Sequence, residues 1–279
     1  MKTILITGSS TGIGEACALH LDRLGHQVYA GVRRESDGDR LRSQGSDRLT
    51  PVIVDVTDQA SIEAAAKRVE SEVDRLDGLV NNAGVGRGGP IEFLELDEWR
   101  DQFEVNVFGQ VAVTKAMLPL VRKSAAGRIV FIGSIGGRVS TQSLGPYNAS
   151  KHAIEAIGDS LRQELHPWGI QVAIVEPGAI RTEIWNKASE TVARLEAEYP
   201  SDARELYSRH IEGVKKGLEF QIKNAVPPEK VAKAVEHALL SGRPKTRYLV
   251  GRDAHLMASM RRLLPDRRLD AVVRRISGP

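Results

Sequence analysis

The chain has one cysteine, Cys17, among its 279 residues, so a disulfide framework and a cysteine-built zinc site are both excluded. No apolar run reaches the ~18 residues that a membrane-spanning helix needs. The opening MKTILITGSS enters a strand pattern at once, and its apolar stretch is too short for a secretory signal. A cytoplasmic protein is therefore expected. The seven histidines form no close pair on a helix face, so no metal site is expected either. There is no internal repeat of solenoid type, no low-complexity stretch and no evident linker, which argues for one domain.

The net charge is small but unevenly placed. It is +3, yet residues 243–279 carry ten Arg or Lys against three Asp, leaving the first 242 residues at −4. A basic tail suits nucleic acid or an acidic membrane surface. Its apolar residues, however, recur at helical spacing through Leu256, Met257, Met260, Leu263, Leu264, Leu269, Val272, Val273 and Ile276. Two amphipathic helices broken at Pro265 are expected, packed on the body, as a lid or at a subunit contact, with nucleic acid not favoured and a membrane-surface contact the lesser option.

What is present in quantity is alternation. Short β-branched runs at 3–7, 27–32, 51–55, 78–81, 128–133, 171–176 and 248–251 alternate with helix-length patterns such as 13–24, 61–75, 98–123 and 150–166. Continuously apolar strands separated by helices specify an α/β fold, a doubly wound parallel sheet of about seven strands. Ligands of such sheets lie at the carboxyl ends of the strands. Residues 1–251 are read as the dinucleotide-binding catalytic domain. It includes a helical flap at 181–226 carrying Tyr207, Ile211, Val214 and Leu218 at helical spacing. Residues 252–279 are read as a C-terminal helical extension on the same domain.

The first strand runs into TGSSTGIG, with Gly8, Gly12 and Gly14 at the strand-to-helix turn. Glycines there let main-chain N–H groups approach a pyrophosphate at a helix N-terminus. The spacing is neither GxGxxG nor a P-loop. The second strand ends at Val32 followed by Arg33 and Arg34, with no carboxylate to hold a ribose 2′-hydroxyl. A guanidinium grips a phosphate well, so NADP(H) is favoured, with NAD(H) the second option, and Ser9 and Ser10 offer further hydroxyls.

In GPYNASKHAIEAI, Tyr147 precedes Lys151 by four residues. In a helix the phenol and the ammonium become neighbours. A free phenol has a pKa near ~10, and an ammonium ~5 Å away at an effective dielectric of ~20 lowers it by about two units. That brings the phenol toward the range of efficient general acid/base catalysis.

TGSSTGIG at 7–14, Asp55 at the end of the third strand, NNAG at 81–84, VN at 105–106, Ser134, YNASK at 147–151 and EPG at 176–178 followed by Thr182 occur in one order. Together they resemble the short-chain dehydrogenase/reductase family, with LVNNAG and PYNASKHAIEAI nearest in appearance to its hydroxysteroid, retinol and 3-hydroxybutyrate dehydrogenase branch. The resemblance implies an oxidoreductase of alcohols and carbonyls. Tyr147 would be the general acid/base, Ser134 the hydrogen-bond partner of the substrate oxygen, and Lys151 the holder of the nicotinamide ribose. Asn106, in a locally distorted helix, would hold a water. It further implies cofactor contacts from Gly8, Ser9, Ser10, Thr11, Gly12, Ile13, Gly14, Arg33, Asp55, Val56, Asn82, Ala83, Gly84, Pro177, Gly178, Ile180 and Thr182. Long helices at 98–123 and 150–166 would form the contacts of a homodimer or homotetramer.

Substrate contacts are expected from 86–90, 135–144 and the flap from 184 to 222. Val139, Leu144, Ile184, Trp185, Tyr207 and Leu218 favour a lipophilic alcohol or ketone, whereas Arg138 beside Ser134 keeps an acidic substrate open. The alternative to an enzyme is a dinucleotide-binding redox sensor without turnover, which the intact Ser134, Tyr147 and Lys151 set disfavours.

Overall fold

The computed structural model describes residues 1–183 and 201–277. Its strands are β1 (Thr3–Ile6), β2 (Gln27–Val32), β3 (Leu49–Ile53), β4 (Gly78–Asn81), β5 (Arg128–Ile132), β6 (Gln171–Pro177) and β7 (Arg247–Val250). They form one parallel sheet in the order β3-β2-β1-β4-β5-β6-β7. The order reverses direction between β1 and β4, which opens a crevice at their carboxyl ends.

Side-chain alternation along each strand sends neighbours to opposite faces. Ile4 and Ile6 enter one core with Cys17, Ala18 and Leu21 of α1 (Gly12–Arg23) and Val231 and Val235 of α8 (Glu229–Leu240). Leu5 enters the other core, with Ile62 and Val69 of α3 (Gln59–Glu72), Val113 and Met117 of α5 (Gly109–Arg122) and Ile154 of α6 (Gly145–Glu164). Helices thus cover both faces, which is the doubly wound arrangement. Each such side chain contributes roughly 1.5–3 kcal/mol by leaving water.

Two helices depart from the sequence expectation. Residues 35–44, which show no apolar periodicity, form α2 (Glu35–Gln44), a polar helix whose buried side is only Gly38 and Leu41. The expected long helix at 98–123 is instead α4 (Leu96–Phe103), a π-helical segment (Glu104–Phe108) and then α5. At its end Gly109 N–H bonds back five residues to the Glu104 carbonyl. One extra residue is thereby fitted into the helix, a device that recurs at functional sites.

The flap pattern forms α7 (Ser201–Asn224), and the tail forms α9 (Arg252–Leu263) and α10 (Asp266–Ser277). Leu269 and Val273 of α10 bury against Val139, so the tail packs on the body beside the loop that follows β5. Among the described residues, no helix is long and apolar enough to cross a membrane.

Far from the crevice, at the amino ends of the strands, Asp77 is 5% exposed. Its carboxylate accepts from Thr3 N at 3.0 Å and Ser124 Oγ at 2.6 Å, with Lys2 Nζ at 3.8 Å. Burial alone raises its pKa, but those hydrogen bonds and the nearby Lys2 and Arg75 outweigh it, and the net shift is downward. A carboxyl with a lowered folded pKa contributes stability above its unfolded value and loses it as pH falls through the folded one. Asp77→Ala should therefore cost about 2–3 kcal/mol in urea unfolding at pH 7 and much less near pH 3; equal losses at both would assign the effect to packing.

Candidate active site

The turn between β1 and α1 is shaped by what cannot be there. Gly8 and Gly12 lie in the left-handed region at φ +66° and +64°. A Cβ on Gly14 would stand 2.2 Å from the Gly8 carbonyl oxygen. The turn is fixed from β4: Thr7 Oγ1 accepts from Asn82 N at 3.0 Å and Ala83 N at 3.1 Å, and Asn82 Nδ2 donates to the Thr7 and Gly8 carbonyls. Thr11 caps α1 with no side-chain hydrogen bond, so first-turn N–H groups at Gly12, Ile13 and Gly14 remain for an anion. Uncapped donors, bare backbone and a rigid cradle fit the pyrophosphate of a dinucleotide.

Several expected contacts are placed differently. Ser9 is fully buried and its hydroxyl donates to the Ile6 carbonyl at 3.0 Å, so it offers nothing to a phosphate. Ser10 turns its carbonyl to the Arg40 guanidinium, which also pairs with Glu15. Asp55 does not end β3 but lies two residues beyond Ile53, because its carboxylate closes an Asx turn on Thr57, N–H at 3.0 Å and hydroxyl at 2.8 Å. Burial pushes its pKa up, yet Thr57 and the neighbouring Arg33 prevail and lower it. Arg34 is engaged by Asp37 at 3.3 Å, whereas Arg33 stays exposed beside Asp55 at the tip of β2. Val56 is buried where α5 begins, in contact range of Gly109.

On the other side of the crevice, β6 ends at Pro177. A Cβ on Gly12 would stand 3.0 Å from Thr182 Cγ2, so the chain after β6 closes over the glycine turn. Ile180 sends its side chain into the core, leaving only its main chain for a cofactor. Ala179 N donates at 2.6 Å to Asp253 in the first turn of α9, and a Cβ on Gly178 would stand 2.1 Å from that carboxylate. Sequence reasoning missed Asp253; an acid just after the left-handed Gly251 was its only local signal.

Tyr147 and Lys151 share a face of α6, which begins at Gly145 with Pro146 in its first turn. Lys151 Nζ is 5.8 Å from the Tyr147 ring centre and donates to the Ile132 carbonyl at 2.8 Å. Ser134 follows β5, is 9% exposed, accepts from Gly136 N at 3.0 Å, and lies close enough to the Tyr147 hydroxyl to oppose the upward shift of its pKa. Asn106, in the π-helical segment, accepts from Val85 N at 2.8 Å and donates to the Val85 carbonyl at 3.0 Å and Ser150 Oγ at 3.2 Å. Its amide group is thus spent on holding the chain after Gly84 against α6.

The electrostatics differ from the sequence expectation. The Tyr147 side chain keeps some exposure as a whole, but burial around its hydroxyl pushes the phenol above its ordinary value, with the Ser134 hydrogen bond pulling the other way. The phenol thus lies above its ordinary value, not below it as the neighbouring Lys151 led one to expect, because its own burial prevails. Burial brings Lys151 down to about 8, against the pull of Glu155.

Of the residues expected to meet substrate, Val139 instead anchors the tail, and Arg138 is drawn away to Glu176 at 2.6 Å. The loops at 86–90 and 140–144 touch through a Gly89–Leu144 bridge. Tyr207 of α7 donates to Glu92 at 2.9 Å and packs edge-on against Phe93 at 5.6 Å, so the flap helix leans over this side. Ile184 and Trp185 lie outside the described residues. No cluster of metal-ligating side chains occurs among the described residues.

Comparison with known proteins places the chain in a family. The family described as short chain dehydrogenase matches residues 2–193. The chain is 40% identical to 17-beta-hydroxysteroid dehydrogenase type 6 of Bos taurus, over 98% of this chain and 88% of that protein. It is 39% identical to retinol dehydrogenase 5 of Mus musculus, over 97% and 87%. A crystal structure of a short-chain dehydrogenase from Streptomyces avermitilis superposes with a TM-score of 0.77 at 31% identity, covering 98% of this chain and 97% of that one. The chain belongs to the short-chain dehydrogenase/reductase family, in the hydroxysteroid and retinol dehydrogenase branch, and is an oxidoreductase of the CH–OH class.

Proposed function

We propose that the protein interconverts a lipophilic alcohol and its ketone or aldehyde with NADP(H), using Tyr147 as general acid/base. The observation that carries this reading is the convergence of Ser134, Tyr147 and Lys151 at the carboxyl end of β5, beside the crevice between β1 and β4. The bound nicotinamide supplies the acceptor or donor of the hydride. Tyr147 gives its hydroxyl proton to a carbonyl oxygen in reduction and takes it back in oxidation. Ser134 donates to the same oxygen and fixes its distance from the phenol. Lys151, anchored on the Ile132 carbonyl, holds positive charge under the phenol and favours the phenolate once the proton has gone. The main chain at Asn106 holds the water that refills Lys151 from solvent, the side chain being engaged elsewhere.

NADP is preferred because Arg33 stands exposed at the tip of β2, a strand that carries no carboxylate of its own at that end to oppose a 2′-phosphate. Gly12, Ile13 and Gly14 take the pyrophosphate, Asp55 and Val56 the adenine side, and Asn82, Ala83 and Gly84 the middle of the cofactor. Pro177, Gly178 and Thr182 take the nicotinamide end. A lipophilic, uncharged substrate suits a site where Arg138, four residues after Ser134, is already paired with Glu176. The subunit contact falls on α5 and α6, next to Phe108, which ends the π-helical segment just before α5 and is 58% exposed.

Tyr147→Phe should lower turnover by about 10³-fold or more while the cofactor's dissociation constant stays within about twofold. Near-normal turnover would remove the phenol from the mechanism. For Arg33→Ala, binding titrations should show NADPH weakened by about tenfold or more and NADH little changed; parallel losses would reverse the preference. Because the Lys151 ammonium is populated below about pH 8, kcat/KM for carbonyl reduction should fall as pH rises through that value. A profile flat to pH 10 would separate the lysine charge from catalysis.

A further inference from the structure

One turn beyond Lys151 on α6 lies Glu155, and it meets a second buried acid, Glu176, from the end of β6. The Glu155 side chain is 12% exposed and that of Glu176 not at all. Arg247 at the start of β7 donates Nε to Glu155 Oε2 at 3.0 Å and lies 3.3 Å from Glu176 Oε1. Its other end donates to Asp159 Oδ2 at 2.7 Å, and Asp159 in turn faces Arg162 at 2.8 Å. Arg138, just beyond the Ser134 loop, donates to Glu176 Oε1 at 2.6 Å.

These guanidiniums serve one oxygen of each glutamate. The remaining two, Glu155 Oε1 and Glu176 Oε2, are buried with no hydrogen-bond partner. Both carboxyls converge on the one Arg247 Nε, at 3.0 and 3.3 Å. An ionised carboxylate offers only acceptors, so a proton on one of the pair is what can satisfy the orphaned oxygens. Two ionised carboxylates gathered on one nitrogen in a buried setting would repel strongly.

We propose that Glu155 and Glu176 share one proton and act as positioning residues: losing that proton places a negative charge one turn from Lys151 and keeps the ammonium charged as the solution becomes alkaline. The cluster also joins three elements of the site. Glu176 immediately precedes Pro177 and Gly178, Arg138 follows Ser134 by four residues, and Glu155 shares a helix face with Lys151. The surroundings support the timing. Burial and the Glu176 charge push Glu155 up to about 7, while burial brings Lys151 down to about 8, Glu155 being the charged neighbour that raises it. Proton release from the pair thus precedes proton release from the lysine.

The catalytic part of this inference rests on the roles proposed for Tyr147 and Lys151; the shared proton does not. Glu155→Gln keeps the shape and lets an amide donate to Glu176, imitating the protonated pair without a releasable proton. In full-length enzyme the alkaline fall of kcat/KM should then move toward acid by about one pH unit, so the rate at pH 9 relative to pH 7 drops about fivefold below the wild-type ratio. Glu155→Asp should move the profile back toward wild type. Infrared difference spectra of the wild-type protein should show a protonated-carboxyl C=O band below neutrality that titrates away toward pH 8 and is missing in both Glu155→Gln and Glu176→Gln. A wild-type spectrum without that band overturns the shared proton, whatever becomes of Tyr147. A Glu155→Gln profile that superimposes on wild type, or differs only in height, overturns the link to Lys151.

Discussion

A single ammonium buried at the carboxyl end of β5 organises this molecule. Removing the charge of Lys151 from water costs several kcal/mol, and one hydrogen bond to the Ile132 carbonyl offsets only part of that. The surroundings contribute the negative charge of Glu155 one turn away, held by Arg247, with a second acid, Glu176, held by Arg138 and Arg247. The hydroxyls of Ser134 and Tyr147 then find a positive potential already in position.

The sheet makes this position available. Reversal of strand order between β1 and β4 leaves a gap that Asn82 bridges, tying Thr7 and Gly8 to the end of β4. The glycine turn is therefore rigid before any nucleotide arrives, and its donors lose little freedom on binding. On the far side, β5 and β6 carry Ser134 and Glu176 to the same edge. The nucleotide cradle and the proton-handling groups are two neighbouring parts of one strand edge, not separate modules.

Most of the fold was legible because buried parallel strands are continuous apolar runs and their helices carry apolar periodicity. All seven strands fall within a residue or two of the patterns that announce them. The helix at Glu35–Gln44 was not legible, since it buries so little that composition alone reads as a loop. The site was readable as an ordered set of motifs, but the direction of individual side chains was not. Ser9 turns inward to a carbonyl, Ile180 enters the core, and Val139 receives the tail, because each choice depends on neighbours distant in sequence. The electrostatics were the least legible. A phenol beside an ammonium suggests a lowered pKa only while desolvation of each group is small, and here burial dominates both. Glu176 had left one trace: a lone acid within the apolar run VAIVEP.

The carboxylate of Asp253 rests against Gly178 and receives the Ala179 N–H, so the first turn of α9 is part of the wall beside the crevice. The C-terminal helices are consequently not an interchangeable appendage. Substituting the tail of a relative would transplant an acceptor for the strand-end loop along with any new surface. Any exchange of that tail has to keep Asp253 or provide another acceptor for the Ala179 N–H.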